Sequence, residues 1–452
     1  MLQLVRATNG RQPPPRSPRT RSTRPIIKPV RTAFLVLACI AIPIQSLILY
    51  LAFFGPELPY RIRKRLSAPI DSDEFLGNLA ALADARVQPD NHVEVLANGD
   101  HFYEAELLAI QGAHETIHLE AYIFLSGAIG DRFRDALTER AKAGVQVRLI
   151  IDYIGSFRTF RSYFRELLNA GGCLAWYHPP HLNLLPQINN RTHRELIVID
   201  GRIGFIGGAG IADQWYKDIG PNARWRDTMF RVEGPAVAHL QSAFAENWLR
   251  SSGEILLGDG YYRFEKSNGP VRAMVVNSTP SAGSTRARIL YQVLINAAQK
   301  SISITTPYFL PDRSAREEVI RAIRERGVEV RILTPGKHAD HLLTRSSSRR
   351  LYGDLLKAGA RIYEYRPAMI HAKIMVIDDL WSVVGSTNFD HRSFRINDEV
   401  NMATLCPDLA TRLKRDFEND LRQSFEVTHH EWRNRTFFRV YEWAGGLLEN
   451  QE

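Results

Sequence analysis

The sequence predicts an α/β protein in which one sandwich unit is used twice, the two halves related by a pseudo-twofold axis and preceded by a transmembrane helix. Three observations predict it. Strand and helix signals alternate through the body of the chain. Four segments recur in the same order at an offset of 178 to 188 residues, which marks a duplication. Near the start, 22 residues without a charge sit between basic clusters, the length and flanks of a membrane span.

Residues 1–31 carry eight basic side chains and no acid, with many Pro, Ser and Thr. They cannot bury enough apolar surface to order themselves and read as a flexible basic tail. Ala33–Phe54 is the apolar stretch, placed in a span over residues 32–55 and kinked at Pro43. No small-x-small cleavage site follows Phe54, so the expectation is an uncleaved anchor. Eight basic residues before the span and four after it weakly favour an internal N-terminus and leave the orientation open. Residues 56–90 form the connector, with a short helix over Asp71–Ala85.

The first half, residues 91–255, begins with a strand at Asn91–Leu96, then a helix over Phe102–Gly112 and a strand at Glu115–Phe124, read from apolar spacing. A helix follows over Gly130–Gly144, a β-branched strand at Val145–Asp152, a helix over Phe160–Ala170 and a strand at Cys173–Tyr177. The second half, residues 256–428, repeats the series. It has helices over Ala287–Lys300, Ser314–Gly327 and Arg345–Ala358, with strands at Ser301–Thr305 and Val328–Leu333. Residues 429–452 close the chain; Trp432–Leu448 mixes aromatic and basic side chains, the composition of an interfacial helix.

The chain as a whole has 58 basic and 49 acidic residues. Its first 65 positions hold twelve of the basic ones and one acid, leaving 46 basic against 48 acidic elsewhere. The excess positive charge belongs to the anchor. A nucleic-acid enzyme more often carries it on its body, so the partner expected is a membrane and its lipids, with no nucleic acid. Three cysteines without metal spacing argue against a disulfide framework. His338 and His341 lack a third ligand. Neither a metal nor a cofactor is expected.

The chemistry concentrates in Ile370–Val400. His371 and Lys373 stand two apart at the head of the strand Ile374–Ile377, so they face the same side. A second apolar run, Trp381–Val384, leads into Gly385-Ser386-Thr387-Asn388. Imidazole, ammonium, amide and backbone N–H groups together suit an anionic phosphate and the transfer of a proton. The earlier copy is Thr192–Gly210, where His193, Asp200, Gly207 and Gly208 align with His371, Asp378, Gly385 and Ser386. Two histidines facing one phosphate supply a nucleophile and an acid/base without a metal.

His371, Lys373, Asp378, Gly385, Ser386 and Asn388 make up the pattern His-x-Lys-x4-Asp…Gly-Ser-x-Asn, which resembles the phospholipase D superfamily. With GSTNFDHRSFRINDE and TPYFLP the chain is similar to the bacterial cardiolipin synthase branch, over roughly residues 92–428. The resemblance implies two phospholipase D-type halves, a phosphohistidine intermediate, His193 as nucleophile and His371 as acid/base; spacing alone admits the reverse. Lys373 and Asn388 would bind phosphate oxygens, with Ser386 assisting. Asp227 and Glu399, each following its own motif, would orient the histidines. Asp200 and Asp378 belong to the motif and are expected to fix the strand–turn geometry.

The first copy departs from the pattern, with Glu195 where the family has Lys and Gly210 where it has Asn. A carboxylate beside phosphate repels it. Glu195 is therefore expected either to pair with Arg194 or Arg226 or to mark a site that holds phosphate from the second half. The function expected is a membrane-anchored phosphatidyltransferase of the bacterial inner membrane, single-pass, joining two phosphatidylglycerols. The alternatives are a phospholipase D-type hydrolase and a non-catalytic lipid-binding protein with a degenerate first motif; a nuclease fits less well.

Overall fold

The computed structural model describes residues 27–54, 60–180, 189–220, 222–279, 286–340 and 342–434. The chain divides into two units, Met1–Glu57 and Leu58–Glu452. Most of the expected tail, and the expected amphipathic segment beyond residue 434, lie outside the described residues. In the first unit one helix runs over Ile27–Phe54 with Pro43 inside it. It takes in the apolar stretch Ala33–Phe54 and the last five residues assigned to the tail. Among the described residues no helix is long and apolar enough to cross a membrane. Within Ile27–Phe54 the side chains are described only at Thr32 and at 34–47, fewer than the roughly 20 a span needs.

A 15-stranded mixed sheet runs through the second unit. Its seam is the antiparallel pair Val87–Ala97 and Val271–Ser278. Outward from Val87–Ala97 come Thr228–Glu233, Ile203–Gly207, Glu195–Ile199, Thr116–Ala121, Gln146–Asp152 and Cys173–Tyr177. Outward from Val271–Ser278 come Glu399–Leu405, Trp381–Gly385, Ile374–Ile377, Ser301–Thr305, Glu329–Pro335 and Arg361–Tyr365, with Ser424–Val427 added at the edge. The two series match strand for strand. In each the last three shared strands are parallel and the motif hairpin is antiparallel.

Period-two alternation divides the core. On Glu195–Ile199, Leu196 and Val198 face a layer built on the helix Ala236–Ser252, while Ile197 and Ile199 face the helices Gly99–Gln111 and Ala128–Lys142. On Ile374–Ile377, Val376 belongs to that same first layer with the helix Pro407–Leu421, and Met375 and Ile377 face Arg286–Ala297 and Arg313–Arg326. One apolar layer thus takes residues from both halves and ties them together. It rests on two helices to which the sequence reading gave no place.

The predicted strands Cys173–Tyr177, Ser301–Thr305 and Ile374–Ile377 have those boundaries. The first strand starts at Val87 rather than Asn91, because its register shifts between Gln88 and Asn91 around Pro89; a proline with no N–H is accommodated there by a bulge. The helix expected over Phe160–Ala170 is a 3-10 turn at Arg161–Phe164 followed by a short α-helix at Arg165–Asn169.

Candidate active site

Each motif histidine sits just ahead of its strand and is anchored to the opposite half. The His193 N–H donates to the Asp398 carbonyl at 2.9 Å, and the His371 N–H donates to the Arg226 carbonyl at 2.7 Å. These contacts belong to parallel bridges, Thr192 with Asp398 and Arg226 with Ile370. The residues that follow are Glu399 and Asp227. Consequently His193 Nδ1 lies 3.1 Å from Glu399 Oε1, and His371 Nδ1 lies 2.9 Å from Asp227 Oδ2. The sequence reading counted each carboxylate from the motif in its own half; the structure crosses them. A carboxylate on Nδ1 fixes the ring and leaves Nε2 for chemistry.

Both histidines line one cavity of about 250 Å³. Its walls are aromatic: the His193 ring packs edge-on to Tyr122 at 5.4 Å, and the His371 ring packs against Trp215 at 5.3 Å and Trp225 at 5.4 Å. Burial, then the Lys373 ammonium, push His371 down to about 4 against the opposing pull of Asp227. It is therefore a neutral imidazole near neutral pH. An anionic phosphate in the cavity offsets Lys373 and raises its basicity.

The orienting carboxylates are themselves held. Burial alone would raise both, but His371 and Lys373 keep Asp227 below the usual carboxylate range, and His193 and Ser386 do the same for Glu399. Asp227 accepts from Trp215 Nε1 at 3.0 Å and from the Thr228 N–H at 2.7 Å. Glu399 accepts from Ser386 Oγ at 2.5 Å. Ser386 is fully buried and does not line the cavity, which corrects its assignment to substrate. Its counterpart Gly208 has no hydroxyl, and Trp215 donates in its place.

Asp200 and Asp378 lie at the far ends of the motif strands. Asp200 accepts the N–H groups of His114, Glu115 and Thr116 at 2.8–2.9 Å. Asp378 accepts those of Gln299, Lys300 and Ser301 at 2.7–2.9 Å. Both have positive φ, 52° and 54°, a conformation Asp tolerates in tight turns. They clamp the start of the neighbouring strand to the turn and touch no cavity residue, so they stand apart from the catalytic group with which the motif lists them.

Lys373 is 2 % exposed, and its Nζ lies 2.7 Å from the His371 carbonyl and 2.8 Å from His371 Nδ1. Burial pushes it down to about 8, with Asp227, Glu399 and Glu195 opposing. The cations that line the cavity are Arg191 and Arg392. Arg191 is steadied by Asp152 at 3.4 Å and Arg392 by the Asn189 carbonyl at 2.7 Å. Asn388 also lines it, with a side-chain oxygen unpartnered among the described residues, so either amide atom can turn toward a ligand.

Glu195 faces the cavity, and neither expected arginine reaches it. Arg194 points to the other face of the strand, bonding Glu246 at 2.8 Å and the Ala243 carbonyl at 2.6 Å; Arg226 pairs with Asp420 at 3.1 Å. Glu195 instead accepts the Tyr122 N–H at 3.2 Å. Burial raises it well above the usual carboxylate range, with the Tyr122 N–H and Lys373 opposing, so the site disfavours its charged form. The two glycines nearby make room. A Cβ on Gly208 would come within 2.9 Å of Lys373 Nζ, and one on Gly210 within 2.7 Å of the Ile123 carbonyl and 3.2 Å of Glu195 Oε1.

Tyr122, Arg191, Trp215, Trp225, Tyr308, Asp340 and Arg392 also line the cavity and were not singled out from the sequence. Signals existed for two: Arg191 precedes His193 by two residues, hence on the same strand face, and Trp225 opens the WRDT string that holds Asp227.

Two matching α/β halves, a histidine from each in one cavity, and cations to hold an anion between them define a phosphodiester-transferring protein of the phospholipase D type. Residues 107–248 and 291–421 match the family model for the cardiolipin synthase, phospholipase D-like domain. The chain belongs to that family. It is 35 % identical over 386 residues to the major cardiolipin synthase of Bacillus subtilis, covering 84 % of this chain and 80 % of that protein. It is 35 % identical over 352 residues to cardiolipin synthase 1 of Bacillus anthracis, covering 76 % and 69 %. The fold is also that of the phosphatidylserine synthase of Haemophilus influenzae, with a TM-score of 0.64 at 15 % identity over 84 % of this chain and all of that one.

Proposed function

We propose that the protein is a membrane-anchored phosphatidyltransferase that makes cardiolipin from two molecules of phosphatidylglycerol. One observation carries this: a histidine from each half lines one cavity, and each is held by a carboxylate of the other half. His193 Nε2 attacks the phosphorus of the first lipid. A P–N bond forms, the bond to the glycerol oxygen breaks, and that oxygen takes a proton from His371, which picks one up from solvent once the bound anionic phosphate offsets Lys373 and raises its basicity. The free hydroxyl of a second phosphatidylglycerol then gives its proton to His371, and its oxygen displaces His193 from phosphorus. The products are cardiolipin and one glycerol. Arg191, Arg392 and Asn388, which line the cavity, supply positive charge and N–H donors for the phosphoryl oxygens, and Lys373, buried against His371, adds its charge from behind. Asp227 and Glu399 orient the rings.

The halves are taken as residues 91–255 and 256–428, meeting near the sheet seam. A single-pass anchor in the bacterial inner membrane is supported by Phe34, Leu35, Val36, Leu37, Ile40, Ile42, Ile44 and Leu47, all more than half exposed. Four successive positions cover every side of a helix, and a helix apolar all round needs an apolar surrounding.

The test uses vesicles of phosphatidylglycerol labelled in the headgroup and, in a separate set, in the diacyl part. The parent should release one glycerol per cardiolipin, and acid-labile label from the diacyl part should remain on His193 after quenching. Phosphatidic acid as the sole lipid product would make the protein a hydrolase; no turnover, with binding intact, would make it a lipid-binding protein.

A further inference from the structure

Beside the catalytic cavity lies a second one of about 370 Å³. We infer that this cavity holds the phosphodiester of the acceptor lipid while the lipid's free hydroxyl reaches into the catalytic cavity. The inference rests on the transferase reading above and assigns that reading a second anion subsite.

The two cavities have Trp225 and Asp340 in common. The Trp225 ring, 5.4 Å from the His371 ring, therefore serves as a partition one indole thick between the reacting imidazole and the neighbouring space. On the far side the polar lining is mainly of donors: Gln214, Lys217 and Asn222 from the first half, Lys337 and His338 from the second. Lys337 is exposed and has no ion-pair partner among the described residues. Lys217 pairs with Asp213 at 3.1 Å, with about half its side chain open to solvent. The one carboxylate of the lining, Asp340, accepts the Tyr308 hydroxyl at 2.5 Å, which directs part of its charge away from the space.

The chemistry of the reaction requires such a place. An acceptor of this kind is an alcohol that already carries a phosphodiester. When its oxygen attacks, two anionic phosphates stand a glycerol apart, and each needs its own cations because a shared set would leave them repelling in a water-poor site. Arg191, Arg392 and Lys373 serve the phosphoryl group being transferred. Lys337, Lys217 and His338 lie at the next opening. Recognition there favours a phosphate-bearing alcohol over water or a plain alcohol, which is the discrimination a transferase needs and a hydrolase does not.

The probe is partitioning of the phosphatidyl-enzyme between acceptors, with full-length protein in phosphatidylglycerol vesicles containing ethanol. The parent yields cardiolipin, phosphatidylethanol and phosphatidic acid. In Lys337→Glu and in Lys337→Ala with His338→Ala, cardiolipin formation should fall at least tenfold, while phosphatidylethanol plus phosphatidic acid stay within twofold of the parent. Lys337→Arg should restore cardiolipin. A parallel fall of all three products, or unchanged cardiolipin in both variants, overturns the subsite. A parent that makes no cardiolipin at all instead overturns the transferase reading on which it rests.

Discussion

Replacing Glu195 with lysine restores the residue found at this position in the second motif, and the structure predicts that it damages the enzyme. An ammonium at position 195 would enter a buried space that already feels the Lys373 charge, itself pushed down to about 8. Two unit charges about 4 Å apart at an effective dielectric near 20 repel by about 4 kcal/mol. Lys373 would escape that cost by losing its proton. From a pKa of about 8, deprotonation at pH 7 costs only about 1.4 kcal/mol, so the variant would lose the Lys373 charge. The Tyr122 N–H would also lose its acceptor, at about 1–3 kcal/mol for a buried unpaired donor. The expectation is a destabilisation of about 2–4 kcal/mol, adding the deprotonation and lost-bond terms, and cardiolipin formation reduced at least tenfold. Glu195→Gln is the control. It keeps shape and acceptor and removes a charge that burial already disfavours, so activity should stay within about threefold. Melting temperature and labelled-lipid turnover, measured on both variants, decide the matter: a Glu195→Lys enzyme faster than the parent and equally stable would refute the reasoning.

His371→Ala should abolish turnover with the fold retained, because among the described residues His193 and His371 are the histidines that line the cavity; appreciable residual transfer would rule out the two-histidine mechanism. Asp227→Asn should lower transfer by roughly 10- to 100-fold, the usual effect of losing the group that orients a histidine, and the double variant with His371→Ala should be no worse than His371→Ala alone. If Lys373 serves the transferred phosphate as its ammonium, the form present below about 8, kcat/KM should fall as pH rises through that value. Lys373→Arg should carry the limb out of range, and an unmoved limb would assign it to another group. Deleting residues 1–65 should leave a folded, more soluble body, since the sheet begins at Val87; a deletion protein that aggregates on expression would place essential contacts in the connector.

The sequence made the motif strands legible because they are short runs of β-branched and apolar residues closed by polar turns. It made Asp200 and Asp378 legible as turn residues. It did not show which carboxylate meets which histidine, since that depends on bridges between segments about 140 to 200 residues apart. The helices Ala236–Ser252 and Pro407–Leu421 escaped notice for different reasons. In the first, buried polar residues break the apolar stripe: Gln241 bonds His118 at 2.8 Å, and Asn247 bonds Glu120 at 2.6 Å. The second is charged on most of its surface and buries few apolar residues, among them Leu409, Leu413 and Phe417. Arg191, Arg392 and Tyr308 are ordinary residues until the fold places them around one cavity.

The departures in the first motif are the place where sequence and structure differ most in meaning. Read along the chain, Glu195 and Gly210 are two separate losses of a phosphate-binding pattern, and Gly208 stands opposite Ser386. In space they depend on one another. The room left by Gly208 is occupied by the Lys373 side chain from the other half, and the room left by Gly210 borders the Glu195 carboxyl and the Ile123 backbone. A motif that decays loses residues independently and leaves voids or unpaired groups behind. Here each small residue fits a large neighbour, His193 keeps its bond to Glu399, and Trp215 stands in for the missing serine at Asp227. That interdependence favours a working asymmetric site over a degenerate one, and it gives the symmetric alternative a cost that Glu195→Lys alone cannot remove.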